Sequence, residues 1–185
     1  MKQTLIAIAL LTSVAACTKP AEKAADAANT EQSATKAAEP KLLADIGGKP
    51  TGPVYTKEGG DTLALSGYDP VSYFTGKEPV AGSADFTVRY QGFDYRFANA
   101  ENAKTFQASP DKYAPQYGGY CAWAIGANDA LAPTDPKVYK IVDGKLYLNN
   151  SASVAKVWEK DVPGFISKGN GNYPKHDAKE HYATN

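Results

Sequence analysis

The stretch from Phe86 to Phe97 constrains the fold more tightly than any other part of this chain. Phe86, Val88 and Tyr90 alternate with Thr87 and Arg89, and Phe93, Tyr95 and Phe97 alternate with Asp94 and Arg96. A period of two places each set on one face of a strand. Gln91-Gly92 between the two runs is a two-residue hairpin connection, which needs left-handed backbone and therefore favours glycine. The resulting register sets Tyr90 against Phe93, Val88 against Tyr95 and Phe86 against Phe97. It also sets Arg89 opposite Asp94 on the other face, a favourable cross-strand charge pair.

Val138 to Asn149 uses the same device around Asp143-Gly144, with Tyr139, Ile141, Leu146 and Leu148 on one face. The two hairpins differ in sequence and context, and no internal repeat is legible. Short helical signals fall around them. Asp69-Pro70 is a cap followed by an N1 proline, so residues 70–75 predict one or two turns stopped by Gly76, with Tyr73 and Phe74 inward. Leu63 to Leu65 reads as a short strand before it. Asn99 caps a helix that buries Ala103 and Phe106. Ser109-Pro110 restarts a helical segment that carries Tyr113 and Tyr117 to Gly118-Gly119. Tyr120 to Ile125 then reads as a short apolar strand. Asp129 to Pro136 is a loop. After the second hairpin, Ser151 or Ser153 caps a helix with Val154, Val157 and Trp158 inward, and Pro163 opens a last short helix. The class is α+β: small antiparallel hairpins packed with short helices in a single domain over residues 54–170.

The flanks read differently. Residues 1–17 carry a positive n-region at Lys2 and an apolar run from Leu5 to Leu11 that is too short to span a bilayer. The run ends Val14-Ala15-Ala16-Cys17, which resembles a bacterial lipobox. That resemblance implies cleavage before Cys17, its acylation with diacylglycerol and palmitate, and a stable attachment to a membrane. Thr18 follows in place of an aspartate, which favours the periplasmic side of the outer membrane in the cell envelope. Residues 18–53 have alternating charge and mostly alanine as apolar content, too little to offset ordering entropy. They read as a tether with a reach of roughly 30 Å. After Gly169 the sequence turns polar, and residues 171–185 read as a solvated tail. The formal net charge is zero, so no basic field calls for nucleic acid.

Of the two cysteines, lipidation consumes Cys17 and leaves Cys121 as the single thiol, with no intramolecular disulfide. Cys121 sits in Tyr117-Gly118-Gly119-Tyr120-Cys121-Ala122-Trp123, a turn-rich stretch with three aromatics. Free cysteine is most often a small buried hydrophobe. The alternative is a ligand or redox site in which Tyr68, Asp69, Tyr117, Tyr120 and Trp123 converge on Cys121. The two histidines, His176 and His181, lie in the tail and lack helical pair spacing. Gly118-Gly119 lacks the following lysine and hydroxyl of a phosphate loop. Asp129 and Asp135 read as solvated loop acids.

Several motifs resemble the YHS domain family in its periplasmic and lipoprotein branch. They are Gly67-Tyr68-Asp69-Pro70-Val71-Ser72-Tyr73-Phe74, the hairpin Tyr90-x-Gly92-x-x-Tyr95-x-Phe97, Phe106-x-x-x-Pro110-x-Lys112-Tyr113, and Pro115-Gln116-Tyr117-Gly118-Gly119-Tyr120-Cys121-Ala122. They cover residues 60–170 in order. The resemblance implies a domain that handles a soft metal such as copper, for which thiolates are suited ligands. The metal-handling members carry cysteines after the Asp-Pro dipeptide and after the hairpin. Here Ser72 stands at the first position, and residues 98–103 contain no cysteine. Three readings follow: a metal-binding envelope lipoprotein using Cys121 with oxygen donors such as Asp69; a non-catalytic binding or structural module on the membrane surface; and a thiol redox protein using Cys121. No cation lies within four residues of Cys121 to lower its pKa, so an enzymatic role ranks below the other two.

Overall fold

The computed structural model describes residues 41–57 and 61–182, which fall within one compact unit. Cys17 and the leader lie outside the described residues. β1 (Leu42–Asp45) pairs in parallel with β2 (Ser83–Tyr90), which pairs antiparallel with β3 (Phe93–Phe97). α1 (Ala100–Ala108) and the short α2 (Pro110–Tyr113) follow, then α3 (Ala122–Asn128). A second sheet pairs β4 (Asp135–Val142) with β5 (Lys145–Asn149). α4 (Ala152–Trp158) and α5 (Val162–Asn172) complete an α+β domain.

The first hairpin forms as its alternation dictates. Gln91 and Gly92 both take positive φ, the backbone of a type I′ turn. Tyr90 faces Phe93, Arg89 faces Asp94 and Val88 faces Tyr95. Val88, Tyr90, Tyr95 and Phe97 are buried with Ala103 and Phe106 of α1. The pairing of Phe86 with Phe97 does not form, because a bulge shifts the register so that Phe97 partners Ser83. Residues before the domain also differ from expectation. Leu42 to Asp45 is an edge strand on β2 rather than part of a tether, because the backbone of β2 had an open edge to fill. Leu63 and Ala64 bridge outward to Asp94 and Thr56 without forming a strand.

The structure overturns the expectation that the chain contains no repeat. The turn, hairpin and cap geometry of residues 65–113 recurs 52 positions later, although the helices differ in length. Strand ends Ser83 and Phe97 become Asp135 and Asn149, the turn Gln91-Gly92 becomes Asp143-Gly144, and the bulge falls at the same place. Asn99 caps α1 by accepting from the Asn102 N–H, and Ser151 caps α4 by accepting from the Val154 N–H. Leu65-Ser66-Gly67 runs through three consecutive left-handed residues, as does Tyr117-Gly118-Gly119. Core residues correspond as well: Tyr95 with Tyr147 and Phe106 with Trp158.

The repeat is hidden because its two copies bury different faces. In the first hairpin, the second face carries Arg89 and Asp94, 2.8 Å apart as an ion pair. In the second, the matching positions are Ile141 and Leu146, which pack with Tyr139 and Leu148 against Leu65 and Tyr73. Tyr147 on the opposite face packs with Tyr117, Ile125 and Trp158. β5 is therefore covered on both sides and joins the two copies.

Other elements correct the local reading. Ala122 to Asn128 is a helix, not a strand; only Cys121 bridges to Leu148 on the edge of β5. The left-handed turn before it reorients the chain, and α3 then packs on α5. Gly126 permits that approach, since a Cβ there would meet the Phe165 carbonyl 2.5 Å away. The segment after Ser109 breaks at Ala114-Pro115, so Tyr117 lies outside α2. Val157 is 40% exposed, leaving Trp158 as the inward residue of α4. The segment after Gly169 is not a solvated tail. α5 continues to Asn172, Tyr173 donates to the Pro53 carbonyl at 2.7 Å, and Tyr182 packs on Tyr55.

Candidate functional site

Each repeat copy places one side chain just after its left-handed turn: Asp69 in the first and Cys121 in the second. Asp69 is fully buried, and its carboxylate is consumed by the fold. Oδ1 accepts from the backbone N–H of Val71 (2.8 Å) and Ser72 (3.3 Å). Oδ2 accepts from the Ala98 N–H (2.9 Å) and the Asn102 side-chain amide (2.6 Å). A carboxylate can accept this many bonds, and each one satisfies a donor that would otherwise be stranded.

Cys121 occupies the same slot. It is 1% exposed, and the backbone N–H groups that face its sulfur belong to Ala124, Asn150 and Trp123. These are the counterparts of Ser72, Ala98 and Val71. Sγ also lies 3.7 Å from Asn149 Oδ1, which itself accepts from the Trp123 N–H. Burial pushes the Cys121 thiol pKa up, against the downward pull of those N–H groups. Apolar surroundings that raise the pKa leave little thiolate, and thiolate is the reactive form.

The five residues expected around Cys121 divide into separate groups. Tyr117, Tyr120 and Trp123 gather with Tyr147 and Trp158 in the core of the second copy. Tyr68 packs with Tyr73, Leu146 and Leu148 where the copies meet. Asp69 hydrogen-bonds within the first copy and shares no partner with Cys121. Tyr117 donates to the Ile166 carbonyl and to Asn170 Oδ1, both at 3.1 Å. The pKa of Tyr120 is pushed up to about 12, chiefly by burial. Among the described residues no group of three or more His, Cys, Asp and Glu side chains is placed to hold a metal ion. The two histidines are engaged elsewhere: His176 Nδ1 lies 2.8 Å from Glu180, and His181 Nε2 lies 3.1 Å from the Thr56 carbonyl. Among the described residues no helix is long and apolar enough to cross a membrane.

The described residues also form a cavity of about 460 Å³ whose lining does not include Cys121. Its wall combines Thr51 and Val54, the first hairpin (Tyr90, Gln91, Tyr95), residues between Asp111 and Gly118 that include Tyr117, Lys145 at the start of β5, and Asn170, Tyr173 and Pro174. Tyr90 donates to Asp111 Oδ1 at 2.5 Å, and the Gln91 amide donates to the Tyr90 oxygen at 2.9 Å. Burial and the bond to Asp111 push the Tyr90 pKa up to about 12, so it stays a neutral donor. The sequence signal for this site was weak, since its residues come from five separated stretches; of the residues expected around Cys121, Tyr117 alone lines it. No family model, curated protein or solved structure matches the chain.

Proposed function

We propose that this chain is a lipid-anchored envelope protein whose YHS-like domain acts by binding rather than by thiol chemistry. The observation that carries this reading is the equivalence of Asp69 and Cys121. Both fill the same backbone slot, both are buried, and the carboxylate version is wholly occupied by hydrogen bonds of the fold. Cys121 is then a cap of its turn. A soft-metal role for Cys121 gains little from this arrangement, because its side-chain partner is a single amide oxygen at 3.7 Å. Anchoring rests on Val14-Ala15-Ala16-Cys17 and holds the domain at the membrane surface.

The test has two parts on the full chain. Cys17→Ser is expected to remove the protein from the membrane fraction or leave its leader uncleaved; normal processing and retention would contradict the anchor. Cu(I) titration of the wild type and of Cys121→Ser is expected to give the same isotherm. Stoichiometric binding lost in the variant would restore the metal reading.

A further inference from the structure

The cavity between the first hairpin turn and α5 holds polar groups that the fold leaves unspent. Tyr95 is 3% exposed and lines the cavity, and its hydroxyl has no hydrogen-bond partner among the described residues. The side-chain amide of Gln116 and the ammonium of Lys145 hold none there either. Asn170 uses its oxygen on Tyr117 and keeps both amide protons; Gln91 uses one amide proton on Tyr90 and keeps its oxygen. The wall thus offers donors and acceptors together. Tyr90, Tyr95 and Tyr173 add aromatic surface between them.

The chemistry narrows the occupant. One carboxylate, Asp111, and one ammonium, Lys145, leave the wall without net charge. A phosphate-rich ligand calls for several cations, and Lys145 is the single cation among the lining residues. An acyl chain or other apolar ligand would strip water from the tyrosine, glutamine and asparagine groups without replacing it, which is unfavourable for each. A sugar meets both demands. Its hydroxyls donate and accept at once, matching planar amides and phenols, while its C–H faces lie on aromatic rings. The volume falls in the range of small-molecule sites, roughly 300–1,000 Å³.

We infer that this cavity binds a neutral mono- or disaccharide. The inference rests on the reading of the domain as a binding module and names its ligand class. The test is a titration of the full detergent-solubilised chain, followed by NMR, with cellobiose, maltose, trehalose and N,N′-diacetylchitobiose, and with inorganic phosphate beside them. At least one disaccharide is expected to saturate. Tyr95→Phe, which removes a hydroxyl without a protein partner, and Gln116→Ala are each expected to weaken it about tenfold, the loss of roughly one ligand hydrogen bond. Unchanged melting temperatures separate this effect from misfolding. The inference is overturned if no disaccharide saturates up to its solubility limit, or if both variants bind as the wild type does. Saturation by phosphate alone, weakened in Gln116→Ala, overturns the sugar and leaves the binding module standing. Rapid alkylation of Cys121 in the native protein would bring down the binding-module reading itself.

Discussion

Asp69 and Cys121 show how one backbone geometry can be served by two chemistries. A left-handed turn leaves N–H groups facing inward, and burial makes an unmet donor costly. The carboxyl group of Asp69 meets them with two strong acceptor oxygens, and the thiol of Cys121 with a weak acceptor. Asp69→Ala strands several buried donors at once and should lower stability by about 2–4 kcal/mol, read from the denaturant midpoint. Cys121→Ser keeps an acceptor in the slot and should cost no more than about 1 kcal/mol. Equal losses would contradict the difference in hydrogen bonding. Asp94 carries a pH dependence. Burial alone would raise its pKa, but hydrogen bonds from Arg89 and Thr62 and the Arg89 charge hold it below the ordinary 3.8. A depressed carboxylate contributes stability above its unfolded pKa and loses it as pH falls through the folded value. The denaturant midpoint should therefore decline below about pH 4, and less so in Asp94→Asn. Part of this scale was legible in the sequence: the Arg89–Asp94 pair and the Asn99 cap; Cys121 stood open between a buried hydrophobe and a reactive site, and the structure buries it. The occupation of Asp69 was not legible, because Ala98 and Asn102 reach it across roughly thirty residues of chain.

At the scale of elements, the two hairpins were legible because period-two alternation and an x-Gly turn are local signals. Their relationship was not. Only seven of the 49 paired positions are identical between residues 65–113 and 117–165, Gly67, Tyr68, Gly92 and Tyr95 among them. The first hairpin alternates apolar with charged residues, as an antiparallel sheet with one dry face does. The second buries both faces of β5, so its apolar pattern follows different neighbours. The misreading of Tyr120 to Ile125 has a similar cause: a short apolar run fits a buried helix as well as a strand. Phe97 tests the first hairpin. It is fully buried among Val88, Tyr95 and Phe106, so Phe97→Ala should cost about 3–5 kcal/mol. A denaturant midpoint close to wild type would show that this face does not carry the core.

Across the whole molecule, the two copies share one buried seam, where Leu65, Tyr68 and Tyr73 meet the outer face of the second hairpin. The segments at either end of the domain are tied in too, through β1 on β2 and through Tyr173 and Tyr182 on the core. Composition hid both ties. Leu42 and Leu43 sit in an alanine-rich run, and Tyr173 and Tyr182 sit among polar residues. A molecule bound together in this way should open as one unit, and its buried thiol should be exposed only when it does. Cys121 alkylation in the folded full chain, timed as denaturant is raised, is the most direct test of the reading that Cys121 caps a turn and does no chemistry. The account predicts that native protein stays unmodified and that the labelling rate climbs with the unfolding transition of the whole domain. Prompt modification of the folded protein, well below that transition, would contradict it and return Cys121 to the list of reactive sites.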